Sequence, residues 1–219
     1  MGISRTDEYV AENDGFDIDA RPSGASSEAA STVASGWAAA DAQNAPSGDY
    51  PVEFKHSETF QLIKFIDKNG PFATYSQHFL KQKTEGRRSY VCIGDNCPLC
   101  KKLLDKPERK TAFSVVVFVD GQPQRQQLIA TPRLYKALHA AEFSPQGPLT
   151  KSYWAINRTG KMQQTQYSLL AVKARDLGED WGLDPEKAET QVTEFEPFEA
   201  ASIKTHTYAE LLEVAESLL

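Results

Sequence analysis

Four residues in this chain have the types and spacing to hold a metal ion. They are His78, Cys92, Cys97 and Cys100, and the three cysteines are all the protein has. One imidazole and three thiolates make a complete tetrahedral set for zinc. The Cys97-Pro-Leu-Cys100 spacing lets two sulfurs close on one ion from a tight turn, and Gly94, Asp95, Asn96 and Pro98 supply the turn chemistry such a knuckle needs. Free thiols seldom cluster at ligand spacing in a polar loop. His78 closes a strand-like run that faces the knuckle; His56 is the competing fourth ligand. Four protein ligands leave no open position, so the expected zinc is single and structural. A redox reading of Cys97 and Cys100 is weaker, because a third cysteine lies close by and no βαβ pattern surrounds them. An odd cysteine count also argues against a disulfide framework and for a reducing compartment.

The positioning elements follow from patterning. Thr59 to Asp67, Phe72 to Leu80 and Arg87 to Ile93 read as strands, with Asn69-Gly70-Pro71 and Gly86 as breaks. On the second of these, Tyr75 and Phe79 share one face while His78 and Leu80 share the other. A helical turn is expected near Lys101 to Leu104. Thr111 to Val119 carries Val and Phe on both faces and should be central to the sheet. Asp120-Gly121 signals a hairpin into Gln124 to Ala130. Thr131 and Pro132 then open a helix as N-cap and first residue. Lys151 to Asn157 and Gln164 to Lys173 form a second hairpin around Thr159-Gly160. Residues 176–199 read as an acidic loop, and Thr207 to Leu219 as an amphipathic helix. The result is a mainly β protein with few helices. Many short strands separated by turns predict a small barrel or sandwich, and the partly open five-stranded OB barrel is the small barrel built to hold extended oligonucleotides. The expected organisation is a disordered acidic arm over 1–49, an OB-fold domain over 50–175 with a zinc insertion at 78–110, and an acidic C-terminal region over 176–219.

Charge is segregated along the chain. Residues 1–49 have a balance of −7, residues 50–175 of +11, and residues 176–219 of −10. A basic middle between acidic ends suggests a polyanion-binding domain. Single-strand binders interleave cations with rings on which bases stack. The middle region does this with Tyr75, Phe79 and Lys81, with Arg87, Arg88 and Tyr90, with Lys101 and Lys102 after the knuckle, and with Tyr153, Trp154, Arg158 and Lys161. Phe65, Phe113 and Phe118 lie in dense apolar runs and are expected in the core. The acidic C-terminal region admits two readings: a tail that lies over the basic groove as a phosphate mimic, or a helix packed on the barrel. No phosphate-binding loop, dinucleotide fingerprint or catalytic triad spacing is present, so no enzymatic reaction is expected. No run of eighteen apolar residues occurs, so no membrane span is expected. The polar stretch from Met1 to Gly15 has no signal-peptide core, which predicts a cytoplasmic protein.

The run Tyr75-Ser-Gln-His78, with Arg88-Ser-Tyr-Val-Cys92, Cys97-Pro-Leu-Cys100, Phe113-Ser-Val-Val-Val and Asn157-Arg-Thr-Gly160, resembles the single-stranded-DNA-binding proteins of tailed phages that infect actinobacteria. It is similar, more distantly, to the T-even helix-destabilising protein. The resemblance covers residues 55–180. It implies an OB core, an inserted zinc subdomain with one His and three Cys ligands, and an acidic C-terminal region. It also implies binding to single-stranded DNA in the host cytoplasm during phage replication or recombination, with replication or recombination proteins as partners of the acidic C-terminal region. The other class considered is a zinc-knuckle transcription regulator that reads duplex DNA or docks on RNA polymerase. That reading lacks a basic recognition helix, since the helix from Pro132 to Phe143 carries only Arg133 and Lys136.

Overall fold

The computed structural model describes residues 51–219, all within one compact unit running from Pro46 to Leu219. The acidic arm expected over residues 1–49 lies outside the described residues.

Strand β4 (Glu108–Val119) is the axis of the sheet. Its alternating side chains divide between two cores: Phe113, Val115 and Val117 enter one, Val116 and Phe118 the other. The chain then turns through Asp120 and Gly121, whose φ values of 50° and 76° are both positive. This is the geometry of a type I′ hairpin turn, and it returns the chain as β5 (Gln122–Ala130) along one edge of β4. Two strands share the opposite edge. β2 (Ala73–Phe79) occupies its first part, with Ala73 opposite Ala112 and Gln77 opposite Glu108. β1 (Gln61–Phe65) occupies its second part, with Ile63 opposite Val117. β3 (Ser89–Val91) extends the sheet beyond β2. On the other side, β1 pairs with β6 (Tyr153–Thr159), which forms a hairpin with β7 (Gln166–Val172).

The result is a seven-stranded antiparallel sheet of order β3-β2-β4-β1-β6-β7, with β5 on β4. The mainly β expectation holds, but closure into a barrel does not. Among the described residues no ladder joins β7 back to β5 or β3. Numbering the helices in chain order, α1 is Pro98–Lys102 and α2 is Pro132–Glu142. α2 packs against β4, β5 and β7, between the strands that closure would have to join. Its Leu134 and Leu138 complete the first core with Phe65, Leu128, Trp154 and Ile156.

The second face of the sheet is covered by α3 (Ala174–Trp181) and α4 (Pro185–Thr193). Leu177, Ala188 and Val192 from these helices bury Leu62, Val116 and Tyr153. Residues 176–199, expected as an acidic loop, are therefore largely helical. The start signal of α4 is local: Asp184 caps the helix by accepting the Lys187 N–H at 2.8 Å, and Pro185 occupies the first turn. Lys64 is buried on this face and satisfied there. Its ammonium lies 4.5 Å from the Tyr153 ring centroid and 3.6 Å from Glu189, which also accepts the Tyr153 hydroxyl proton at 3.0 Å.

The last helix, α5 (Tyr208–Glu216), opens with a reciprocal capping box between Thr207 and Glu210. It does not lie over a groove as a detached tail. Its Leu211 and Ala215 pack with Leu80, Tyr90, Cys97 and Leu99, so it braces the cysteine loop. Among the described residues, no helix is long and apolar enough to cross a membrane.

One carboxylate between layers gives a pH-dependent expectation. Asp67 accepts the Ser114 backbone N–H through Oδ2, while its Oδ1 is buried without a partner. Burial pushes this carboxyl up to about 6 from 3.8, against the downward pull of its hydrogen bonds to Ser114. A carboxyl whose folded pKa is raised contributes stability that is fully present below the unfolded value and is lost as pH rises through the folded one. Asp67→Asn, which keeps an acceptor for the amide, should therefore gain stability relative to the native chain as pH rises from about 4 to about 7. Urea midpoints at the two pH values check this, and an unchanged difference would contradict it.

Candidate metal centre and nucleic-acid interface

β2 alternates, so His78 points away from the face that carries Tyr75, Gln77 and Phe79, and it is fully buried. β3 ends just before Cys92, whose amide donates to the Ser76 carbonyl at 2.8 Å and fixes this arm of the loop to β2. Gly94, at φ 86°, makes the turn, and its carbonyl accepts the Cys97 N–H at 3.0 Å. Cys97 caps α1, and Cys100 lies one turn further along it.

These elements bring the four donor atoms together. His78 Nε2 is 3.4 Å from Cys97 Sγ and 3.5 Å from Cys100 Sγ, and Cys92 Sγ is 3.7 Å from Cys100 Sγ. All four lie within 4.8 Å of one another. A tetrahedral zinc with ordinary bond lengths has edges of about 3.8 Å between sulfurs and about 3.6 Å between sulfur and nitrogen. The donor set therefore fits one ion at its centre and can hold a single metal. Asp105 completes the arrangement: its Oδ2 lies 2.7 Å from His78 Nδ1. With the proton on Nδ1, the imidazole donates to this carboxylate and presents the Nε2 lone pair to the ion. Charge demands a cation as well. Burial and the neighbouring Cys92 sulfur push the Cys100 thiol up to about 12. Cys97 is moved the other way: burial opposes its ionisation, but backbone hydrogen bonds around the knuckle outweigh that. Three thiolates in this space need a positive ion to coexist.

His56, the competing ligand, belongs elsewhere. Its ring meets Phe54 and Tyr167 edge-on at 5.0 and 5.1 Å. Burial, followed by the nearby Arg158 charge, holds its pKa down at about 4. Asp105 was not singled out from the sequence. The rule that a ligating histidine donates its second N–H to a carboxylate would have pointed to the few acidic residues around the knuckle.

The expected nucleic-acid contacts do not all fall together. Lys81, Arg158 and Lys161 line one groove of about 970 Å³, together with Arg133 and Tyr167. Tyr75, Arg87 and Arg88 line a second groove of about 450 Å³, together with Lys204. The odd-numbered face of β2 connects them. Tyr75 and Gln77 lie in the second groove, Phe79 follows on the same face at 53% exposure, and Lys81 opens the first. The Arg88 guanidinium lies 4.9 Å from the Phe79 ring centroid and donates to the Lys81 carbonyl at 2.9 Å.

Lys101 and Lys102 line neither groove. They sit on α1, where Lys101 bonds Asn96 and Lys102 pairs with Glu216 of α5 at 2.6 Å. The rings of Tyr90, Tyr153 and Trp154 are buried and cannot serve as the stacking platforms expected of them. Tyr90 packs in the cluster under the cysteine loop and donates its hydroxyl proton to the Arg87 carbonyl. Tyr153 and Trp154 point to opposite faces of β6, and both faces are covered. Tyr167, whose alternation with polar residues leaves it open as a stacking ring, does line the wider groove, and Arg133 was missed as a groove residue. Arg133 bonds the carbonyls of Gln163 and Thr165, which ties the β6–β7 loop to the start of α2.

No protein-family model, curated protein or solved structure matches the chain.

Proposed function

We propose that this protein binds single-stranded DNA along the two connected grooves, without catalysing a reaction, and that a structural zinc holds the knuckle beside them. One observation carries the reading. Lys81, Arg133, Arg158 and Lys161 converge on the wider groove around Tyr167, and Glu108 is the one carboxylate that lines it. Such a groove attracts a phosphate backbone, and Tyr167 and the exposed Phe79 offer ring faces for bases. The connecting strand face favours an extended chain over a rigid duplex. An OB barrel likewise binds oligonucleotides over a strand surface. Zinc suits the donor set, since one imidazole and three thiolates make a closed structural site. On the sequence resemblance, the protein coats and protects unwound DNA during phage replication or recombination in the host cytoplasm, and its acidic C-terminal helices meet replication or recombination proteins.

Competition binding decides the matter. Fluorescence anisotropy with labelled single-stranded DNA, duplex DNA and RNA at two salt concentrations should show a strong preference for the single strand. The salt slope should be near −0.7 for each phosphate neutralised. Equal affinity for duplex would favour the transcription-regulator reading and overturn this one.

A further inference from the structure

The loop between β6 and β7 carries an apolar side chain that no core takes up. Met162 is 91% exposed, more than any other large apolar side chain among the described residues. Its φ of 51° lies in the left-handed region, which a residue with a Cβ enters only at a cost. The loop holds this conformation because it is fixed on both sides of Met162. Before it, Gly160 turns the chain at φ 73°, so close to the returning backbone that a Cβ there would lie 2.3 Å from the Gln164 carbonyl oxygen. After it, the Lys161 carbonyl accepts the Gln164 N–H at 3.0 Å, and Arg133 of α2 donates to the carbonyls of Gln163 and Thr165. Met162 is thus held out from a braced turn, and it lines the wider groove beside Arg158 and Lys161. Leu104 is also exposed at positive φ, but it lines neither groove.

We propose that Met162 is a wedge: its side chain inserts between two neighbouring bases of the bound single strand and parts them. The inference rests on the DNA-binding reading of the wider groove. The cations there select the ligand, since Lys81, Arg133, Arg158 and Lys161 draw a phosphate backbone. Phosphates offer a thioether side chain no favourable contact. The faces of the bases are the apolar surface that such a ligand brings. An unbranched, polarisable side chain fits between the rings of any base, so the contact tolerates any sequence. Apolar wedges, methionine among them, unstack bases in the same way where proteins kink duplex DNA. The braced turn serves this role. A wedge on a yielding loop would be pushed aside by the stack, whereas the Arg133 anchor and the Gly160 turn hold Met162 in place before the strand arrives. The protein then favours an unstacked single strand over a duplex by more than charge alone provides.

The test uses the full chain and a single-stranded oligonucleotide that carries the fluorescent adenine analogue aminopurine at interior positions. This base brightens when its neighbours no longer stack on it. The native chain should bind the oligonucleotide and brighten it severalfold. Met162→Ala should weaken binding about tenfold, the scale of one lost base contact, and remove most of the brightening. Met162→Leu, still apolar, should keep both. Met162→Gln, similar in length but polar, should behave as the alanine variant does. The salt slope should be the same in every variant, because no cation is lost. Phe143→Ala, which removes an exposed ring outside both basic grooves, should act as the native chain. Native brightening with Met162→Ala or Met162→Gln, its loss with Met162→Leu, or a lowered salt slope would overturn the proposal. A native chain that binds without brightening the probe would overturn it too, and would leave the DNA reading standing. A native chain that does not bind the oligonucleotide sinks the DNA reading itself, and the wedge with it.

Discussion

The native chain, purified without chelator, should carry one equivalent of zinc, and the Cys97→Ser protein should carry none. The expected effect is large. Structural zinc binding in small finger peptides is worth on the order of 10 kcal/mol, and that binding energy is also folding energy. Cys97 is fully buried, so the loss also reaches Leu80, Leu99, Leu211 and Ala215 around it. That cluster shares no residue with the two cores of the sheet. The variant should therefore keep the sheet folded apart from its edge strand β3, while residues 81–106 and 207–219 become open to protease. Metal analysis with limited proteolysis and mass mapping checks both parts. A native chain without zinc, or a variant that keeps it, would show that the ligand set is wrong.

The combined change of Arg158 and Lys161 to alanine should weaken single-strand binding on the order of fiftyfold at about 50 mM salt, and should lower the salt slope by about 1.4. Both cations line the wider groove. Each released counterion contributes about 0.7 to the slope, so two lost contacts set both magnitudes. The same change at Lys101 and Lys102 provides the contrast. Those two lie on α1, bonded to Asn96 and Glu216, and their loss should leave the slope almost unaltered. If the α1 pair proves the more damaging, the strand runs over the knuckle instead.

Much of this architecture was legible because it is local. Alternation on β2 separates His78 from Phe79, Asp120-Gly121 names its own turn, and the order of cysteines marks the knuckle. Burial of Tyr153 and Trp154 was not legible for a specific reason. Alternation assigns neighbours to opposite faces but cannot say that both faces are covered, and here the second cover comes from α3 and α4. Those helices are hard to see because their charge hides a thin apolar stripe of Leu177, Ala188 and Val192. For α5 the amphipathic pattern gives the helix, yet its partner, the knuckle, lies more than a hundred residues earlier in the chain.

The position of β1 sets an order in which the molecule can assemble. Ile63 meets Val117 on one side and Trp154 on the other, so β1 must wait for two distant segments before it is held at both edges. Pairings this far apart in sequence are slow, because chain ends must be brought together before any contact rewards the search. The metal ligands face no such delay. They all lie between His78 and Cys100, joined by the short ladder of β2 and β3. A metal offered during folding would therefore meet its donors before the sheet is complete. A bound ion would fix one end of β2, the strand along which β4 pairs from Ala112 to Glu108.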